Sequence, residues 1–344
     1  MIAATEWSRA VEALGNASEV AISCHVSPDG DAFGSMLGLG LHLESLGKKV
    51  WMSWGSAEAQ IPDSYAFLPG VDKIVNQDRF PDQVEVFVAI DCGDQRRLEL
   101  LTAKFLAAGS RLNIDHHVSN TNYGDINLVD HHRASSAELA LELIERMGGE
   151  VTPEIATNLY TGVVTDTGRF QYSNTSPATL QAAAALREAG ADHLMVAENI
   201  FESAPFDQLR ILGKVLGRAR LEHGVVYAWL LLEDLEGLGL EIAEDFIDFL
   251  KVVKEADVAM ILKERPEGGW RASLRSRTDI DVSAVAQSFG GGGHTKAAGF
   301  SIGGELEDVL RRIKQRLAGA ATASPASTPE IGAPPSAEQA PAVP

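Results

Sequence analysis

Short, strongly apolar runs alternate along the first half of the chain with longer segments whose apolar positions recur every three or four residues. "EVAISCHV" (19–26), "KKVWMSW" (48–54), "VEVFVAID" (84–91) and "RLNID" (111–115) read as buried strands, and helices are predicted from about Asp31 to Leu46 and from about Arg97 to Ala108. That order predicts an α/β domain on a mostly parallel sheet with helices on both faces. Ligands of such a sheet bind beyond the carboxyl ends of its strands. Three more helical segments follow, about 135–148, 153–164 and 177–189, the last framed by Ser176-Pro177 at its start and Gly190 past its end.

Residues 196–214 mix charge, Pro205 and short apolar patches, which predicts a connector after a first domain of 1–195. A smaller α+β domain, 215–317, is then expected from strands at 225–231, 258–264 and 270–276 and helices at about 241–253, 282–288 and 305–317. From Ala318 to Pro344 the chain is Ala/Pro/Ser-rich with almost no large apolar residue, the composition of a disordered tail.

Charge narrows the partners. Lys plus Arg number 29 against 48 Asp plus Glu, a net charge of −19 over 344 residues. Such a chain repels long polyanions unless positive charge is gathered locally, so no groove for long nucleic acid is expected. The two cysteines, Cys24 and Cys92, end apolar runs and form no C-x-x-C pair, which suits buried free thiols in a reducing cytosol. "MIAATEWSRAVEALGNA" carries charge where a signal peptide needs an apolar stretch, and no run reaches the ~18 apolar residues of a membrane span. A soluble, cytoplasmic protein without a membrane partner is therefore expected.

Candidate chemistry gathers where strands end. In "ISCHVSPDGDAFGS" a buried strand runs into His25, then Asp29, Gly30 and Asp31, then a helix; oxygen and imidazole ligands there suit Mn²⁺, Mg²⁺ or Zn²⁺, while a helix cap plus a turn aspartate explains the same spacing. "VFVAIDCGD" delivers Asp91 to the end of an apolar strand, where an unpaired buried charge would be costly; Asp94 fits a helix cap better. "RLNIDHH" ends in Asp115, His116 and His117, 24 residues after Asp91, room enough for one helix between parallel strands. The same three letters recur as Asp130, His131 and His132, only 15 residues later, so "DINLV" is expected to be an edge strand or extended segment, followed by a helix capped by Ser135 or Ser136. Spacing favours the first copy for chemistry. In "VVTDTGRF", Asp166 closes a helix, where an acid opposes the helix dipole unless a cation is near.

Taken in order, "HVSPDGD", "AIDCGD", "NIDHH" and "VVTDTGRF" resemble the motifs of the DHH phosphoesterase superfamily, and "RASLRSRTDIDVSAVAQSFGGGGHTKAAGF" resembles its DHHA1 companion domain. The resemblance implies two divalent cations, usually Mn²⁺ with Mg²⁺ or Co²⁺ as alternatives. His25 and Asp29 would hold one, Asp31, His116 and Asp166 the other, and Asp91 would bridge. It implies that His117 faces the scissile phosphate and that Asp115 orients the imidazoles. It also implies terminal-phosphate capture by Gly290 to Gly293, with Gly291, Gly292 and Gly293 as the closest approach, and by His294, Arg275, Ser276 and Arg277. The layout is most similar to the nanoRNase/pAp-phosphatase (NrnA-type) branch. Its members release mononucleotides from short RNA or DNA oligonucleotides of about two to five nucleotides and dephosphorylate pAp, in a cleft between the domains; a homodimer is compatible with it. A cyclic dinucleotide or pApA phosphodiesterase, a RecJ-like single-strand exonuclease and a non-catalytic nucleotide-binding regulator remain open at this point. The second Asp-His-His is not part of the family pattern, and His131 and His132 are expected to be surface residues.

Overall fold

The computed structural model describes residues 2–243 and 246–323. The chain divides into two compact units between Ser203 and Ala204.

In the first unit, α1 (Ala4–Asn16) is followed by β1 (Glu19–Cys24), α2 (Gly30–Ser45), β2 (Lys49–Trp54), β3 (Val86–Ile90), α3 (Thr102–Ala107), β4 (Ser110–Asp115), β5 (Ile126–Val129), α4 (Ser136–Arg146), α5 (Pro153–Asp166), α6 (Pro177–Glu188) and α7 (His193–Phe201). The five strands are all parallel, in the order β2-β1-β3-β4-β5. Alternation along β3 shows how the sheet is covered: Val86, Val88 and Ile90 enter the main core with α1, α2, α4 and α5, while Phe87 and Ala89 enter a smaller core with Leu98, Leu101 and Phe105 on the other face. Strand order reverses between β1 and β3, which marks their carboxyl ends as the ligand edge.

Several predicted elements change shape. The helix expected over 97–108 is a 3₁₀ segment, Gln95–Leu101, broken at Glu99 (φ 39°), and only then α3. β5 is a parallel edge strand reached through residues 116–125 without a crossover helix; Arg111 pairs with Asp125 across that link at 2.5 and 2.9 Å. α1 is not among the predicted elements, because its buried stripe is only Trp7, Ala10 and Leu14.

The second unit contains α8 (Phe206–Gly217), β6 (Arg220–Glu222), β7 (Val225–Leu230), α9 (Phe246–Leu250), β8 (Val258–Glu264), β9 (Trp270–Ser276), α10 (Val282–Gln287), β10 (Gly292–His294), β11 (Ala297–Ile302) and α11 (Leu306–Ala323). Its mixed sheet runs β10-β11-β9-β8-β7-β6, with β7 and β8 parallel and the other pairs antiparallel. α10 and α11 cover one face, whereas α8 and α9 pack on the other through Ile211, Leu212, Val215, Phe246 and Leu250 against Val226, Ala228, Ala259 and Ile261. Three stretches differ in local structure from their expected form. The region 196–214 is largely helical, in α7 and α8, because Ile211, Leu212 and Val215 bury one helix face on the second sheet. The helix expected over 241–253 is a 3₁₀ turn, Leu240–Ala243, and the five-residue α9. The first residues of the stretch expected to be a tail, from Ala318 to Ala323, are the end of α11; the rest, 324–344, lies outside the described residues.

Candidate active site

β1 and β3 lie side by side, Ser23 opposite Ala89, so His25 and Asp91 leave neighbouring strand ends together. Both are almost fully buried. The Asp91 backbone sits in the left-handed region (φ 52°), unusual for a residue with a side chain, and its N–H donates to the Ile114 carbonyl at 2.8 Å. Its two carboxylate oxygens diverge: Oδ2 is 3.4 Å from His25 Nε2, and Oδ1 is 3.6 Å from His116 Nε2.

Two helices bring the next carboxylates. α2 and α5 cross so closely that a Cβ on Gly34 would lie 2.3 Å from the Asn158 carbonyl oxygen and one on Gly38 2.6 Å from the Leu159 side chain. Glycine at these positions lets the start of α2 reach the end of α5, placing Asp31 and Asp166 in one cluster with His116. Asp29 meets both readings of its motif. Its Oδ1 caps α2, accepting from the N–H groups of Asp31 and Ala32 at 3.1 Å each, while Oδ2 faces His25 Nε2 at 3.9 Å. Asp31 in turn accepts from the first N–H groups of α4, those of Ser136 at 2.6 Å and Ala137 at 2.9 Å.

β4 supplies the first Asp-His-His. His117 Nδ1 is 2.7 Å from Asp115 Oδ1, which fixes the ring and leaves Nε2 as its outward nitrogen. Asp115 Oδ2 accepts from Asn120 Nδ2 at 2.6 Å; Asn120 also donates to Asn113 Oδ1 at 2.8 Å, and Asn113 donates to the Tyr123 hydroxyl at 3.2 Å. Ser136 Oγ donates to Asp91 Oδ1 at 3.0 Å. Pattern reading missed Asn113, Asn120, Tyr123 and the contact from Ser136 to Asp91; polar residues beside a catalytic motif give no periodic signal, although the Asn five residues after Asp115 stands in plain view.

The electrostatics are those of an anionic pocket. Burial disfavours charge on His116, but Asp166, Asp31 and Asp91 override it and push the imidazole up to about 10. His117 is raised chiefly by its bond to Asp115. Burial, with repulsion from Asp91, raises Asp31 and Asp166, whereas His25, His116 and His117 hold Asp91 well below the usual carboxylate range despite its burial.

These residues suit divalent cations. Buried His116 Nε2 has carboxylate oxygens of Asp166, Asp91 and Asp31 at 3.0, 3.6 and 3.8 Å and makes no hydrogen bond to any of them. Two donor groups lie side by side: His25, Asp29 and Asp91, and Asp31, His116 and Asp166, each with ligand atoms within 4.8 Å of one another and joined by the approach of Asp91 Oδ1 to His116 Nε2 at 3.6 Å. Asp91, His116 and His117 form a third such group, but the bond from His117 Nδ1 to Asp115 occupies that nitrogen. The second copy, Asp130, His131 and His132, also brings its ligand atoms within 4.8 Å, at the end of β5 and with both imidazoles exposed.

In the second unit the register sorts the predicted phosphate-binding residues. His294 pairs with Ala297, and Ala297 with Arg275, so His294 and Arg275 share one sheet face with a small residue between them. Ser276 follows Arg275 in β9 and so faces the other side, where its hydroxyl donates to the Thr278 carbonyl at 2.8 Å, and the Arg277 guanidinium donates to the Val253 carbonyl. The glycines also differ. A Cβ on Gly291 or Gly293 would meet a backbone oxygen at 2.3 or 2.4 Å, so packing demands them, whereas Gly292 faces open space and leaves its backbone approachable.

Residues 19–163 match the DHH family N-terminal domain, and residues 224–319 match the DHHA1 domain. The bifunctional oligoribonuclease and PAP phosphatase NrnA of Thermus thermophilus is 33% identical over 303 residues, covering 86% of this chain and 88% of its own. The chain belongs to the DHH family. Other DHH relatives agree: NrnA of Bacillus subtilis is 26% identical over 81% of this chain and 87% of its own. Among solved structures, an exopolyphosphatase-related protein from Bacteroides fragilis superposes with a TM-score of 0.86 at 27% identity, covering 93% of this chain and 97% of that one. RecJ from Thermus thermophilus, solved in complex with Mn²⁺, has a TM-score of 0.51 at 18% identity and shares the fold over 54% of its length. Among the described residues no helix is long and apolar enough to cross a membrane.

Proposed function

We propose that this DHH protein is a cytoplasmic, metal-dependent phosphoesterase that hydrolyses short oligoribonucleotides to mononucleotides and dephosphorylates pAp. The observation that carries the proposal is the divergence of the Asp91 oxygens, one toward the His25 and Asp29 side and one toward the His116, Asp31 and Asp166 side. That arrangement suits a pair of divalent cations, Mn²⁺ being our choice, held by His25 and Asp29 on one side and by Asp31, His116 and Asp166 on the other, with Asp91 between. Cations held there would supply Lewis acidity to activate a water and to offset the charge of the phosphate. The chain's own residues do the rest. Asp115 orients His117 so that Nε2 faces a phosphate oxygen, Ser136 steadies Asp91, and the N–H groups at the start of α4 hold Asp31 in place. In the second unit His294 and Arg275, with the open backbone at Gly292, are assigned to phosphate binding, which gathers positive charge locally in a chain whose net charge is −19. The activities in the names of the NrnA relatives support the substrate class.

The test is a product time course with Mn²⁺ on 5′-phosphorylated oligoribonucleotides from dinucleotide to 20-mer, with pAp and c-di-AMP alongside. We expect mononucleotide release fastest from the shortest members, with pAp turnover. A preference for the 20-mer or the cyclic dinucleotide would overturn the substrate assignment. Asp91→Ala is expected to abolish turnover while its circular dichroism stays that of the parent; retained turnover would overturn the metal centre.

A further inference from the structure

The second Asp-His-His has no part in the site just described, yet it is held with comparable definition. Val129 pairs with Asp115 in the β4–β5 ladder, and the next residue, Asp130, donates its N–H to the Asp115 carbonyl at 3.1 Å. The Asp130 carboxylate then accepts from the His132 N–H at 3.1 Å, and its carbonyl from the Arg133 N–H at 3.1 Å, so a tight turn fixes an acid that is only 8% exposed. His131 and His132 stand at the surface with ring centroids 4.2 Å apart and 42° between ring planes, and neither ring has a hydrogen-bond partner among the described residues. One nitrogen from each ring and an Asp130 oxygen lie within 4.8 Å of one another.

We propose that Asp130, His131 and His132 form a further cation site, for a borderline transition metal such as Zn²⁺, Co²⁺, Ni²⁺ or Cu²⁺. Two imidazoles and one carboxylate make a donor set that binds those ions ahead of Mn²⁺ or Mg²⁺, in contrast to the carboxylate-rich cluster at the ends of β1, β3 and β4. Three donors leave coordination positions that water or an anionic ligand fills. The backbone of the turn presets the carboxylate, so only the two exposed rings need to rotate to close around an ion.

Equilibrium dialysis of the full chain against Zn²⁺, with metal counted per chain, tests this. The wild type is expected to carry one more equivalent than His131→Gln/His132→Gln, and substituting Co²⁺ is expected to give a visible absorption band that the double variant loses. The same difference of one equivalent is expected in an Asp91→Ala background, which separates this site from the proposed catalytic ions. Equal equivalents in wild type and double variant, in either background, would overturn the proposal.

Discussion

The same three residues stand at the ends of two adjacent parallel strands, and the molecule treats them differently. Asp115, His116 and His117 end β4, an interior strand, where β3 contributes Asp91, α2 contributes Asp31 and α5 contributes Asp166. Asp130, His131 and His132 end β5, the edge strand, and among the described residues their donor group draws on that strand end alone. The two ring pairs are alike, with centroids 4.6 Å apart in the first copy and 4.2 Å in the second. The motif therefore fixes a local shape, and topology decides what chemistry surrounds it.

The sharpest way to break this comparison is to remove the imidazoles of each copy in turn. His116→Ala and His117→Ala are each expected to lose roughly 10²–10⁴-fold in kcat/KM with Mn²⁺ on a dinucleotide, the range for a positioned group that acts in the transition state. His131→Ala and His132→Ala are expected to stay within about twofold, in keeping with an exposed surface pair. A comparable loss from the second pair would mean that the edge strand contributes to the reaction.

How much of this was legible follows from which residues announce themselves. An apolar strand that ends in an acid is a strong signal, because burial without a partner is so costly, which singles out Asp91, while His25 and Asp115 follow from the apolar strands that they close. β8 and β9 have the bounds expected of them, since Val, Ile, Trp and Leu mark their pleat. β10 and β11 escaped notice because "GGH" and "AAGFSI" are built largely from residues with weak strand preference; the ladder to β9 orders them. α8 was hidden by its charges and the preceding Pro205, and its helicity comes from Ile211, Leu212 and Val215 packing on a sheet distant in sequence. At the site, Asp29 could be read as cap or as ligand, and only coordinates reveal that each role uses its own oxygen.

A smaller effect sharpens the comparison within the first copy. Asp115→Asn keeps the shape of the side chain but weakens its hold on His117 Nδ1, and a loss of about 10–100-fold in activity is expected, the order found for outer partners that orient the side chains of a metal site. Asn120→Ala removes the clamp on the far oxygen of Asp115, and its loss is expected at the low end of that range. Both losses should appear in kcat more than in KM, because neither change touches the residues proposed to hold the cations. Asp130→Asn, the matching change in the second copy, is expected to leave Mn²⁺-dependent activity within about twofold. If Asp115→Asn and Asp130→Asn behaved alike, position in the sheet would not be what separates the copies.

The smallest expected effect concerns a third setting for histidine. His42, in α2, is fully buried with neither ring nitrogen hydrogen-bonded, and Gly149 packs so tightly on it that a Cβ there would lie 2.0 Å from the ring. Burial lowers its pKa. The unfolded chain therefore binds a proton on this residue at a pH where the folded chain does not, so its contribution to stability is intact above the ordinary histidine pKa of about 6.5 and is lost as pH falls below it. His42→Leu, close in volume and without polar atoms, is expected to gain about 1 kcal/mol at neutral pH by removing two unsatisfied nitrogens. Denaturant unfolding of wild type and variant should show that gain growing from pH 7 to pH 5. A gain that does not change with pH would mean that His42 takes up its proton in the folded protein as readily as in the unfolded one, and burial alone would then not decide what an imidazole does in this fold.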